Sequence, residues 1–377
     1  MKAVTLRDVA EAAHVSVATA SRVLAGKGLA GPATQARIRE AAERLGYRPN
    51  KFAQGLKTRH THLIGVVIHN LENASFRRIA AVVQGRMREK GYQVMLCITG
   101  DDAQQERDAV STLMDYNVSG VVVVPTGQNS GMFVQLEQSG VPVLCVVRRD
   151  PSAMLESVLS ADVDGAYDAT RYLLQQGHRR IGIVVGRRGT TSGDERRAGY
   201  LRALDEAFVP FDPSLIVDGP YLPQTGTNAA NALLDLPKPP TAIFVANHES
   251  ALGVMRVVSE RGLRVPDDIS LLCAEDSPWF EWQRPALSVV DSGPEALANL
   301  AADRMLQRLD GSTNGAREYR VGQRLMLRGS CRAPASPAVD SSSVSGSVPA
   351  LASDSANAGE IGAVPLAFQP NISAGSE

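Results

Sequence analysis

From Leu63 to Asp291 the chain alternates short, nearly uninterrupted apolar runs with longer amphipathic stretches, and this alternation leaves few folds open. A first series, LIGVVI (63–68), QVMLCI (93–98), GVVVV (120–124) and VLCVV (143–147), is separated by helical patterns near 76–90, 103–117 and 131–139. A second series starts with a strand near 157–160 and a helix over 164–176. It continues through IGIVV (181–185), a helix over 194–208, LIVD (215–218), a helix over 224–235, AIFVA (242–246), a helix over 249–261 and ISLLCA (269–274). Runs without polar alternation predict strands buried on both faces, hence parallel sheets covered by helices. Right-handed crossovers turn each series into a doubly wound α/β lobe, so two series predict two lobes. LSVVD (287–291), a helix over 294–309 and the strand-rich stretch 319–327 complete the core. Ligands of such folds bind beyond the carboxyl ends of the strands, which places a site in the cleft between the lobes. A 377-residue chain that is 44% hydrophobic can fill the cores this requires.

The first 48 residues follow a different period. In TLRDVAEAAHVSVATASR (5–22), Leu6, Val9, Ala10 and Ala13 recur at helical spacing, and a second helical pattern (Val17, Ala20, Val23, Leu24) starts three residues later. Ser16 stands where an N-cap belongs. Thr19, Ser21 and Arg22 lie on the polar side of the second helix and suit phosphates and base edges. Pro32 to Leu45 supplies a third apolar face through Ile38, Ala41, Ala42 and Leu45. Together these predict an all-α helix-turn-helix head over 1–48. Residues 1–60 carry eleven Lys/Arg against four Asp/Glu, a surplus of seven in a chain whose formal charge is −1, which is the electrostatic footprint of nucleic-acid binding.

Between head and core, Pro49 marks a boundary, and KFAQGLKT (51–58) reads as a basic, weakly helical linker that folding on DNA would order. The predicted division is therefore a head (1–48), a hinge (49–60), a two-lobed core (61–332) and a tail (333–377). The tail is dense in Ser, Ala, Gly and Pro, has no Lys or Arg, and is expected to be disordered. Cys97, Cys145, Cys273 and Cys331 lack CxxC spacing and read as reduced core thiols, so no metal or cofactor is expected. No signal sequence or membrane-length apolar run is present, and a cytoplasmic product is expected. Walker, GxGxxG, HExxH and GxSxG motifs are missing where they would count, which argues against an enzyme. A solute-binding protein of the same two-lobed fold would need export and would lack the head.

Taken together, TLRDVAEAAHVSVATASRVL, RIREAAERLGYRPN, FAQGLKT, LIGVVI, GHRRIGIV, ERRAGYLRAL, PTAIFVANHESALG, GLRVPDDISLL and the closing LRGS resemble the LacI family of bacterial transcription regulators over residues 5 to about 332. The resemblance implies a homodimer or tetramer on double-stranded operator DNA. In it a head reads the major groove, a hinge helix sits in the minor groove, and a periplasmic-binding-protein-like core takes a small effector. It places base contacts at Val17, Ala18 and Arg22, with Arg22 able to grip guanine bidentately. Phosphate contacts fall at Thr5, Ser16, Thr19, Ser21, Thr34 and Asn50, and a DNA-bending wedge at Leu56. Val17 and Ala18 can also be read as plain helix surface, and Thr34 as a helix-terminal polar group. His14 replaces a turn glycine in a position where His tolerates positive φ, and Gln35 stands where arginine is common.

The same resemblance places effector contacts at Ser75, Phe76, Arg148, Arg196, Tyr221, Asn247 and Glu275. Here the sequence departs from the family pattern: Asn73-Ala74-Ser75-Phe76 lacks one aromatic, Val147 replaces a frequent acidic residue, and His248 replaces the Asp after Asn247. Losing a carboxylate while keeping Arg148 and Arg196 points to an anionic effector, a sugar acid or other small carboxylate, because guanidinium pairs bidentately with planar oxyanions. A neutral-sugar effector, with Arg148 and Arg149 facing solvent or bridging the lobes, is the competing reading.

Overall fold

The computed structural model describes residues 4–26, 30–47, 61–312 and 316–334. The hinge (49–60) with Asn50 and Leu56, and the tail from residue 335 onward, lie outside the described residues.

The head forms three helices, α1 (Leu6–Ala12), α2 (Val17–Leu24) and α3 (Pro32–Arg44). A capping box opens α1: Asp8 N donates to Thr5 Oγ1 at 3.4 Å, and Thr5 N donates to Asp8 Oδ2 at 2.7 Å. Ser16 caps α2 through Thr19 N at 3.1 Å. His14 makes the turn between them at φ 53°, the left-handed conformation its position demands. Val9, Ala10, Ala13, Ala20, Val23, Ile38, Ala41 and Ala42 close a small core of mostly short side chains, so the backbones approach closely and α2 keeps its outer face exposed.

The core holds two six-stranded sheets. The first lobe supplies β1 (Leu63–Ile68), α4 (Ala74–Glu89), β2 (Gln93–Ile98), α5 (Ala103–Asp115), β3 (Gly120–Val123), α6 (Ser130–Gln138), β4 (Val143–Val146) and β5 (Glu156–Ser160). The second supplies α7 (Asp162–Gln175), β6 (Ile181–Val185), α8 (Thr191–Glu206), β7 (Ile216–Asp218), α9 (Pro223–Leu234), β8 (Ala242–Val245), α10 (His248–Glu260), β9 (Ser270–Cys273) and β10 (Ser288–Asp291). The chain then returns through α11 (Pro294–Leu309) and β11 (Glu318–Val321) to the first lobe, and ends in the second with β12 (Arg324–Met326). Sheet orders are β11-β5-β4-β3-β1-β2 and β12-β10-β9-β8-β6-β7. Every pair is parallel except β10 with β12.

This corrects the simple division into two consecutive series. The strand near 157–160 pairs with β4 and belongs to the first sheet, and so does the stretch that forms β11. The 294–309 helix packs its Leu297, Ala298, Ala301, Ala302 and Met305 into the first lobe's core beside Ile79 and Val83 of α4. Three crossings therefore link the lobes, at 160–162, 291–294 and 321–324. Three connections restrict how the lobes can shift against each other more than a single one would.

Candidate functional site

The carboxyl ends of both sheets face one another, and the loops leaving them enclose a cavity of about 260 Å³. That is at or just below the roughly 300–1,000 Å³ typical of drug-sized ligands and suits a molecule of monosaccharide size. Ser75, Phe76, Arg148, Arg196, Tyr221 and Glu275 all line it. Asn247 does not. It is wholly buried, its Oδ1 accepts from Ser250 N at 3.0 Å as the N-cap of α10, and its amide donates to Glu249. An asparagine opening a helix satisfies that helix first, so Asn247 is a positioning residue for Glu249, and Glu249, like His69, Asp101 and Arg187, is a wall residue outside the set expected from the sequence.

At one end of the cavity Arg196, from α8, is buried against equally buried Asp162 at the start of α7, with Nε to Oδ1 at 3.0 Å. The Tyr221 hydroxyl lies 3.3 Å from Nη1, and Glu275 Oε1 lies 3.7 Å from Nη2. Gly186 leaves room for the Tyr221 phenol, since a Cβ there would overlap its hydroxyl. Burial pushes the Asp162 carboxyl up, and Arg196 and Gln323 pull it back. The pair thus holds its charge by mutual contact.

Beside it His248, Glu249 and Glu275 gather. His248 Nδ1 lies 2.9 Å from Glu275 Oε2, and the Asn73 amide reaches across from the first lobe to Glu249 at 3.2 Å and Glu275 at 3.3 Å. Ala74 N points at His248 Nε2 at 3.4 Å. An N–H aimed at Nε2 needs a lone pair there, so the neutral ring carries its proton on Nδ1, facing Glu275; burial lowers the ring's pKa, and the Glu275 hydrogen bond and charge raise it above the ordinary value. The three side chains bring donor atoms within 4.8 Å of one another, and through Asn73 and Ala74 they form a hydrogen-bonded bridge between the lobes. Burial, then the Glu275 charge, raises the Glu249 carboxyl to about 7.

At the other end Arg148 follows β4 through a tight turn in which Arg148 N donates to Val146 O at 2.6 Å across Val147, whose φ is 65°. Positive φ at a β-branched residue is strained, and such strain concentrates at functional sites. Arg148 is buried and pairs with Asp101 at 2.9 Å, while half-exposed Arg187 approaches Asp101 from the second lobe at 3.7 Å. Arg149 points outward to Glu318 at 3.2 Å. His69, just beyond β1, bonds the Val124 carbonyl at 3.0 Å through Nε2 and stands edge-on to Phe76. A carbonyl only accepts, so Nε2 carries the proton. The signal that marks His69 in the sequence is a polar residue immediately after an apolar strand.

Burial, reinforced by Arg148, lowers the His69 pKa to about 4. In the folded state the ring therefore takes up its proton only about 2.5 units below its ordinary value. The sign follows: between pH 6.5 and 4 the unfolded chain binds the extra proton, so stability falls as pH falls through that window, by roughly 3 kcal/mol at its lower end. His69→Asn is expected to flatten this part of the stability–pH curve measured by urea denaturation; an unchanged slope would contradict the assignment.

In the head, Val17 (44% exposed), Ala18 and Arg22 lie on the open face of α2. Arg22 makes one hydrogen bond among the described residues, Nε to Ala18 O at 3.3 Å. Thr5, Ser16 and Thr19 spend their hydroxyls on caps, Ser16 Oγ and Thr19 Oγ1 lying 2.8 Å apart. What they present to a phosphate is chiefly the N-terminal end of a helix. Ser21 and Thr34 are half-buried, and Gln35 turns back to Ala30 O at 2.8 Å.

Residues 5–50 match the family model described as bacterial regulatory proteins, lacI family, and residues 170–331 match a periplasmic binding protein-like domain. The chain is 31% identical over 331 residues, covering 87% of its length and 98% of the relative's, to a Bacillus subtilis (strain 168) protein described as "Probable HTH-type transcriptional repressor ExuR". It is 28% identical over 325 residues to the HTH-type transcriptional repressor PurR of Vibrio atlanticus (strain LGP32), covering 86% of this chain and 97% of the relative. Among solved structures it is similar to the lac repressor dimer bound to operator and the anti-inducer ONPF (TM-score 0.77, 28% identity, 88% of this chain and all of that one). It is also similar to the transcriptional regulator CelR–cellobiose complex (TM-score 0.67, 27% identity, 87% of this chain and all of that one).

Proposed function

Because the chain belongs to the lacI family of bacterial regulatory proteins, and is a DNA-binding transcriptional repressor with an effector-binding core, we propose that its effector is a small hydroxylated carboxylate such as a sugar acid. The observation that carries this reading is one end of the cavity wall, where two arginines, Arg148 and Arg187, share the single carboxylate of Asp101 beside a space of monosaccharide size. His69, with its pKa lowered to about 4, adds no charge near pH 7, so Arg148, Asp101 and Arg187 leave one positive charge uncompensated at their end. A carboxylate balances it, and Glu249 and Glu275 at the other end accept hydroxyls.

Repression is a matter for the head (1–48), the hinge (49–60) and the core (61–332) acting together. An effector that bridges the cleft changes the lobe arrangement, and coupling of about 1–3 kcal/mol changes operator affinity several-fold to hundred-fold. We assign base contacts to Val17, Ala18 and Arg22. Assembly as a homodimer is favoured by two sets of exposed apolar side chains: Leu96 and Ile98 on β2, the open edge of the first sheet, and Leu222, Leu252 and Trp282 in the second lobe. No helix among the described residues is long and apolar enough to cross a membrane.

Calorimetry of the full chain against D-glucuronate, D-galacturonate and their neutral parent sugars tests the effector. The acids are expected to bind at least about ten-fold more tightly than the parents, one uncompensated charge being worth roughly 1.4 kcal/mol in a partly wet cleft. Tight binding of a neutral sugar alone would overturn the assignment.

A further inference from the structure

Two arginines from opposite lobes meet on one carboxylate, and that carboxylate belongs to the protein. Asp101 lies in the loop between β2 and α5, 2.9 Å from Arg148 Nη1, 3.4 Å from His69 Nε2 and 3.7 Å from Arg187 Nη1. The loop is built to put it there. Gly100 and Asp101 both have positive φ, 61° and 60°, and Asp is one of the few side chains that tolerates this conformation. Gly100 N is tied to His69 O at 2.7 Å, and Asp102 caps α5 through Gln104 N and Gln105 N at 2.9 and 2.8 Å. Both flanks are anchored, so the backbone fixes the place on the cavity wall from which the Asp101 side chain projects.

We infer that Asp101 holds the anion position between Arg148 and Arg187, and that an effector carboxylate has to take this position from it. The inference rests on the carboxylate reading above and adds its regulation: a resident counter-anion sets how strong, and how selective, an anionic ligand must be. Without Asp101 two guanidinium groups would face each other across the cleft and attract any small anion. With it they attract only one that also satisfies the polar groups at the far end. Arg187 is the more exposed partner and makes the longer contact, 3.7 Å against 2.9 Å for buried Arg148. It is therefore the group that can leave Asp101 for the ligand, and because it comes from the second lobe its transfer exchanges a direct contact between the lobes for one made through the ligand.

Asp101→Asn separates the alternatives, because asparagine keeps the tolerance of positive φ and an acceptor for Arg148 while removing the charge. Full-length wild type, Asp101→Asn and Arg187→Gln are titrated with D-glucuronate, D-glucose and inorganic sulfate by calorimetry. Asp101→Asn is expected to bind glucuronate about ten-fold more tightly and to gain sulfate binding, with glucose changed less than about two-fold. Arg187→Gln is expected to lose most of the preference for the acid. Unchanged or weaker glucuronate binding by Asp101→Asn would make Asp101 a support for Arg148 and overturn the inference. Should wild type ignore glucuronate while Asp101→Asn gains sulfate, the resident anion stands and the sugar-acid reading falls. If no protein binds either anion, both fall.

Discussion

Arg196→Met is expected to lower the stability of the core by roughly 3–5 kcal/mol at pH 7 and to abolish the effector response. The change removes one member of a buried ion pair and leaves Asp162 with Gln323 Nε2 at 2.7 Å as its remaining side-chain donor. An uncompensated buried charge costs about that much, whereas replacing both members by neutral groups of similar size costs far less. The core's thermal transition should fall by on the order of 10 °C. The deficit should also depend on pH with a definite sign. Asp162 already has a raised pKa through burial, and without Arg196 it rises further. The folded state then binds a proton that the unfolded chain, with an ordinary carboxylate, releases above about pH 4. Stability of the variant therefore falls as pH rises, and its deficit against the parent shrinks between pH 7 and 5. Asp162→Asn in the Arg196→Met background should recover much of the loss. A single variant that melts within about 2 °C of the parent would show that the pair contributes little.

The same pair illustrates what the sequence discloses and what it hides. Strand and helix positions in the core follow from hydrophobic period, and IGIVV (181–185) and the 294–309 helix have the boundaries their patterns predict. Periodicity is local, and it reports burial without naming the partner. The pairing of β11 with β5 joins Tyr319 to Val158, and nothing near either residue signals it; hence the misassigned strand at the lobe boundary. For the site, six of seven proposed effector residues line one cavity, because side chains just past the ends of parallel strands converge whatever their spacing in the chain. Their partners were not legible. Asp101 lies 47 residues from Arg148, and Asp162 lies 34 from Arg196. Asn247 lies off the cavity for a different reason: it caps α10, and an asparagine that caps a helix and one that binds a ligand look identical when read alone.

Arg22→Ala is expected to weaken operator binding by at least about thirty-fold. Arg22 stands exposed on α2, and its one hydrogen bond among the described residues, to Ala18 O, leaves the outer edge of the guanidinium available. A bidentate grip on guanine O6 and N7 contributes about 1–3 kcal/mol of discrimination, and a homodimer makes the contact once in each half-site, so the loss doubles. The neighbours offer little to replace it: Val17 and Ala18 can only touch a thymine methyl or exclude a base, and the Ser16 and Thr19 hydroxyls are engaged in the cap. Arg22→Lys separates reading from charge. Lysine keeps the attraction to phosphate but has no planar fork, so it should retain non-specific binding and its salt dependence while losing most of the operator preference. Alanine should lose the preference and also flatten the salt slope. Fluorescence anisotropy on operator DNA selected from random sequence, at fixed and then at varied salt, measures both. Operator affinity within about three-fold of the parent for Arg22→Ala would move sequence reading away from α2, to contacts outside the head's exposed face.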